Sequence, residues 1–79
     1  MTAKIYITLK SGVLDPQGKA VCQALASLRF EEVRDVRIGK YVELKLTTED
    51  KEEAERRVKE MCEKLLANTV IESYRFEIV

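Results

Sequence analysis

The chain has no histidine. It therefore lacks the commonest general base near neutral pH and the commonest nitrogen ligand for zinc. It also has no excess of either charge, because 14 lysines and arginines balance 14 aspartates and glutamates. Phosphate-driven binding leaves a basic excess or a basic stripe, so nucleic acid is not expected as a partner. No apolar run approaches the roughly 20 residues that cross a bilayer, and Met1 to Lys10 lacks the apolar core of a signal peptide. A cytoplasmic location with no membrane partner follows as an expectation. The two cysteines, Cys22 and Cys62, fall in helix-like segments with no cysteine or histidine near them in sequence. They read as small core residues, not as a thiolate nucleophile, a metal cage or a disulfide framework. The three glycines, Gly12, Gly18 and Gly39, are too scattered for a phosphate-cradling loop.

What is present is a short chain rich in both apolar and charged residues. With 46% hydrophobic and 35% charged residues among 79, it reads as one folded domain over residues 1–79 with a heavily solvated exterior. A globule of this size buries only about 60% of the surface its unfolded chain exposes. Stability is expected to need a homodimer, a tetramer or a partner subunit.

Lys4 to Lys10 alternates, with Ile5, Ile7 and Leu9 on one side, as a half-buried strand does. Asp15 is placed to cap a helix that starts at Pro16, where no N–H is needed, and runs to about Leu28. Its apolar stripe is Ala20, Val21, Ala24, Leu25 and Leu28. Gly18, inside the first turn, costs up to about 1 kcal/mol relative to alanine, so either the helix start is irregular or something approaches its backbone. Val33 to Thr47 reads as two strands around Gly39 and Lys40. Val36 and Ile38 face in before the turn, Val42, Leu44 and Leu46 after it, and that parity calls for an odd-length loop or a bulge near Gly39. Thr48 is the expected cap of a second helix with a buried stripe of Ala54, Val58, Met61, Cys62, Leu65 and Leu66. On its outer face Glu52 with Arg56, Glu53 with Arg57, Glu55 with Lys59 and Glu60 with Lys64 stand i to i+4. Asn68 is the expected left-handed C-cap. Ser73 to Val79 is the last strand, with Tyr74, Phe76 and Ile78 inward.

The order strand, helix, strand, strand, helix, strand predicts an α+β, ferredoxin-like βαββαβ fold: a four-stranded antiparallel sheet with both helices on one face. The open face should carry Lys4, Tyr6, Thr8, Lys10, Asp35, Arg37, Glu43, Lys45, Arg75 and Glu77. Tyr6 and Tyr41 invite comparison with RNA-recognition sheets. Glu43 stands where such a sheet wants another aromatic, however, and the parity puts Tyr41 near a hairpin tip.

Three stretches carry a specific resemblance. Val13-Leu14-Asp15-Pro16-Gln17-Gly18, Val36-Arg37-Ile38-Gly39-Lys40 and Met61 to Glu72 (MCEKLLANTVIE) resemble, in order and separation, the signature stretches of the PurS family. The resemblance covers essentially the whole chain. It implies a non-catalytic subunit of phosphoribosylformylglycinamidine (FGAM) synthase, the ATP-dependent, glutamine-using ligase of purine biosynthesis. In that role the chain would join a PurQ-like glutaminase to a PurL-like synthetase and help ammonia pass between them. It would hold no cofactor itself, while the complex uses ATP and magnesium. Carried over residue by residue, the interface candidates are Asp15, Pro16, Gln17, Gly18, Arg37, Gly39, Lys40, Asn68 and Thr69. Local duties offer another account of four of these, since Asp15 and Pro16 can start a helix, Gly39 bend a hairpin and Asn68 end a helix. Gln17, Arg37 and Lys40 show no such duty in the sequence. A regulatory module of the ACT type, which shares the order of elements and binds amino acids, is the alternative. An acylphosphatase-type enzyme is more distant, because the loop it needs is not recognisable between Leu9 and Gly18.

Overall fold

The computed structural model describes all residues, Met1 to Val79. Three strands and two helices follow one another as β1 (Thr2–Leu9), α1 (Pro16–Ser27), β2 (Gly39–Lys45), α2 (Lys51–Met61) and β3 (Glu72–Ile78). A π-helical turn, Cys62–Leu66, extends α2. The sheet order is β2-β1-β3, with β1 antiparallel to both neighbours. β2 and β3 are thus parallel to each other across β1, and α2 is the crossover between them.

The inward set of β1 is fully removed from water, with Ala3, Ile5 and Ile7 at 0%, 0% and 1% exposure. Leu44 and Val42 stand opposite Ala3 and Ile5 on β2, and Ile78, Phe76 and Tyr74 opposite Ala3, Ile5 and Ile7 on β3. Ala54, Val58 and Cys62 of the second helical segment are buried, and Val58 and Cys62 join the β1 residues in one cluster. Each Ile or Val buried there contributes about 1.5–3 kcal/mol. The flanking inward residues, from Val42 to Ile78, are only half-buried, because α2 alone covers this face.

Several expectations are corrected. The sheet has three strands, not four: Val33 to Ile38 joins no ladder, and there is no hairpin at Gly39, which is simply the first residue of β2. The reason lies in its backbone partners, since the Ile38 N–H bonds to the Asp15 carboxylate and the Val36 carbonyl lies against Gly18. Tyr41 is accordingly not at a hairpin tip but within the sheet, paired with Tyr6. Lys10, Asp35 and Arg37 lie outside the strands and so off the open face.

The helices differ from expectation in their ends. Asp50, not Thr48, caps α2, accepting the Glu52 and Glu53 N–H groups, while Thr48 Oγ1 accepts the Asp50 N–H. The π-turn adds a residue to the last turn, which carries Leu66 toward the core and leaves Leu65 82% exposed. Ala67 leaves it in extended conformation, and Asn68 is not left-handed; Arg29 is the one non-glycine residue with positive φ. Of the charged pairs on α2 only Arg57 with Glu60, an i to i+3 pair at 3.0 Å, is formed.

α1 contributes no side chain to the core. Its one buried residue is Gly18, and Val21 and Leu28 of its apolar stripe are exposed. Cys22 on this helix is only partly buried, in contrast to Cys62. The molecule measures 48 × 24 × 14 Å with a radius of gyration of 15.9 Å, against about 12 Å for a compact domain of this length.

Candidate functional site

The end of the sheet where β1 stops and β2 and β3 begin gathers most of the candidate residues. Asp15 caps α1 through Oδ1, which accepts the Gly18 N–H at 2.9 Å, and its Oδ2 accepts the Ile38 N–H at 3.0 Å. These two bonds, that to Gly18 first, hold its carboxyl below the usual carboxylate range, with the Arg37 guanidinium adding to the effect. Gly18 is required by close approach: a Cβ there would stand 2.3 Å from the Val36 carbonyl oxygen. Gly39 is required in the same way, its Cβ position lying 2.3 Å from the Ile7 carbonyl oxygen.

Arg37 and Lys40, which showed no local duty in the sequence, both have one. The Arg37 guanidinium donates to the Leu9 carbonyl at the end of β1. Lys40 Nζ lies 3.3 Å from Glu72 Oε2. The other oxygen of Glu72 accepts the Asn68 N–H at 2.7 Å. That bond, together with the Lys40 ammonium, pulls the Glu72 carboxyl below its ordinary value. Asn68 organises the turn into β3: its side chain accepts the Val70 N–H and its carbonyl those of Ile71 and Glu72. Asp15, Pro16, Gln17, Gly39, Lys40 and Glu72 line one groove of about 300 Å³. Thr69 is exposed, makes no side-chain hydrogen bond and does not line this groove.

Glu72 is the residue that sequence reasoning missed, although it closes the third signature stretch. The register places Lys40 opposite Ile7 and Glu72 opposite Leu9, so their pairing follows once β1 is known to be central. The signal was an acid at the start of one strand and a base at the start of another.

The open face carries a second cluster. Tyr41, Tyr6 and Arg75 form a row across all three strands, the tyrosine rings 5.2 Å apart and the Arg75 guanidinium 4.0 Å from the Tyr6 ring centre. Each tyrosine donates to a carboxylate, Tyr6 to Glu77 and Tyr41 to Glu43, both at 3.1 Å. The bond to Glu77 raises the Tyr6 phenol above its ordinary value, and desolvation followed by the Glu43 bond raises that of Tyr41. The groups are mutually satisfied, and their one surplus negative charge, on Glu43, lies 4.0 Å from the Lys45 ammonium. Nothing in either cluster pairs a nucleophile with a base, and no three or more cysteine, aspartate and glutamate side chains converge as metal ligands would. No helix is long and apolar enough to cross a membrane.

The family model for PurS, phosphoribosylformylglycinamidine (FGAM) synthase, matches residues 2–79. The PurS subunit of phosphoribosylformylglycinamidine synthase from Bacillus subtilis is 60% identical over 75 residues, 95% of this chain and 88% of that protein. The solved structure of B. subtilis PurS matches with a TM-score of 0.84 at 59% identity, covering 96% of this chain and 94% of that one. A chain in the structure of PurLQS from Thermotoga maritima matches with a TM-score of 0.85 at 33% identity, covering 100% of this chain and 99% of that one.

Proposed function

Because this chain belongs to the PurS family, we propose that it is the small, non-catalytic subunit of a phosphoribosylformylglycinamidine synthase in purine biosynthesis, and that it works by docking. The observation that carries the reading is its end-to-end match to a chain of an assembled PurLQS complex. Its partners are then a synthetase of the PurL kind and a glutaminase of the PurQ kind. A cytoplasmic location goes with this role, and ATP and magnesium belong to the partner subunits.

The finer part of the proposal is that the chain bridges the two catalytic subunits, helps ammonia pass between them, and uses the sheet end to do so. In support, Pro16, Gln17 and Lys40 present accessible atoms there on a backbone fixed by Asp15, Arg37 and Glu72. A rigid, mixed-charge surface of this kind suits recognition more than chemistry. The exposed stripe of α1 and the half-covered inner face of the sheet also support self-association, since both leave apolar area in water that a second copy can remove.

Size-exclusion chromatography of the glutaminase and synthetase with and without this chain tests the docking role. The two catalytic subunits are expected to co-elute only in its presence. Equal co-elution without it would contradict bridging.

A further inference from the structure

The two oxygens of Asp15 do different things. Oδ1 caps α1 by accepting the Gly18 N–H, a local bond any good capping residue makes. Oδ2 reaches 23 residues along the chain to the Ile38 N–H, which the helix does not need. On the same side of the first turn the bare Gly18 backbone lies against the Val36 carbonyl, beside Asp15 Oδ2 itself. The first turn of α1 is thus held to Val36–Ile38 by two neighbouring contacts, and beyond it no residue of α1 is buried.

A 12-residue helix held at one end is a lever. At a rise of about 1.5 Å per residue, a tilt of about 10° at its root moves its far end by roughly 3 Å. Pro16 and Gln17, at the root, move little in such a tilt; they follow Asp15 directly in one wall of the groove, Gly39 follows Ile38 in the other with Lys40 and Glu72, and the Asp15–Ile38 bond joins the two walls. The second wall is held independently, by Arg37 on the Leu9 carbonyl and Lys40 on Glu72. We infer that Asp15 is a positioning residue for assembly: its second carboxylate oxygen sets the α1 wall of the groove against the sheet wall. This rests on the docking role proposed above.

Asparagine and serine cap helices about as well as aspartate, so Asp15→Asn and Asp15→Ser separate the two duties. Gly18 and Ile38 bind different oxygens of Asp15, and asparagine replaces one of these with an NH2 donor, so the cap is kept and the Ile38 bond lost; the serine hydroxyl is too short to span them. Both variants should keep the helical circular dichroism of the parent, and the lost Ile38 bond should lower the urea midpoint without unfolding the chain. The Ile38 amide should exchange with deuterium at least tenfold faster, with the Gly18 amide unchanged. Affinity for the glutaminase and synthetase together, measured by titration against the purified subunits, should fall at least tenfold. If both variants bind as the parent does, Asp15 is only a cap and the positioning role is wrong. If the parent chain itself does not bind those subunits, the docking role fails first and this inference with it.

Discussion

Glu72 binds Lys40 with one carboxylate oxygen and the Asn68 N–H with the other, so a single side chain joins the start of β2 to the turn that enters β3. The two partners are unequal, the Glu72 side chain being 13% exposed and that of Lys40 57%. An exposed ammonium gains little from its pair, and Lys40→Ala is expected to cost less than about 1 kcal/mol. Glu72→Ala also leaves a backbone donor without its acceptor and should cost about 1–2 kcal/mol. Urea denaturation of both variants checks the order, and equal losses would mean that the bond to Asn68 contributes nothing.

Acid should loosen the same end of the sheet. Asp15 and Glu72 both hold their protons less tightly in the fold than in the unfolded chain. Their contribution is therefore fully present above the ordinary carboxyl value of about 4 and is lost as the pH falls through the lower folded values. Urea midpoints measured from pH 7 down to pH 2 should fall more steeply in the parent than in Glu72→Gln, with the two profiles parallel above pH 6. Equal steepness in the acid limb would contradict the assignment.

Gly18→Ala separates helix propensity from packing. Propensity alone makes alanine better by up to about 1 kcal/mol inside a helix. The Val36 carbonyl, 2.3 Å from where the new Cβ would stand, reverses the sign. The variant is expected to be less stable than the parent by more than about 1 kcal/mol, and a gain in thermal midpoint would show that the close approach is absent.

The two thiols should behave differently. Cys62 is buried and its pKa is raised, chiefly by desolvation, whereas Cys22 is partly exposed on α1. Cys62→Ala is expected to cost about 1–2 kcal/mol from lost burial, and Cys22→Ala less than about 0.5 kcal/mol. In the native protein a disulfide reagent at neutral pH should modify Cys22 well before Cys62; simultaneous reaction of both would contradict the packing described.

These contrasts show what the sequence carried and what it did not. The alternation of Ile5 with Ile7, of Val42 with Leu44 and of Tyr74 with Phe76 fixed which faces turn inward, because a period of two is local. Pro16 and Asp15 marked the start of α1 for the same reason. Val33 to Ile38 alternates as a strand does, while its actual backbone partners, Asp15 and Gly18, lie about twenty residues earlier in the chain. The stripe on α1 carries no local mark that distinguishes an apolar face packed within the chain from one left for another. At the candidate site the signature stretches were visible as residues, but their convergence depended on β1 being central, and so did the Lys40 to Glu72 pair. The helical periodicity also had no way to register the π-turn that moves Leu65 outward.

The proposed role, joining two catalytic subunits without chemistry of its own, makes the effect of this chain depend on the nitrogen source. Turnover should be compared with glutamine and with a high concentration of free ammonia as nitrogen source, each in the presence and absence of this chain. Glutamine-driven synthesis is expected to depend on it by at least tenfold, and ammonia-driven synthesis to depend on it far less, since free ammonia reaches the synthetase without delivery. Equal dependence of both reactions on the chain would contradict the bridging account.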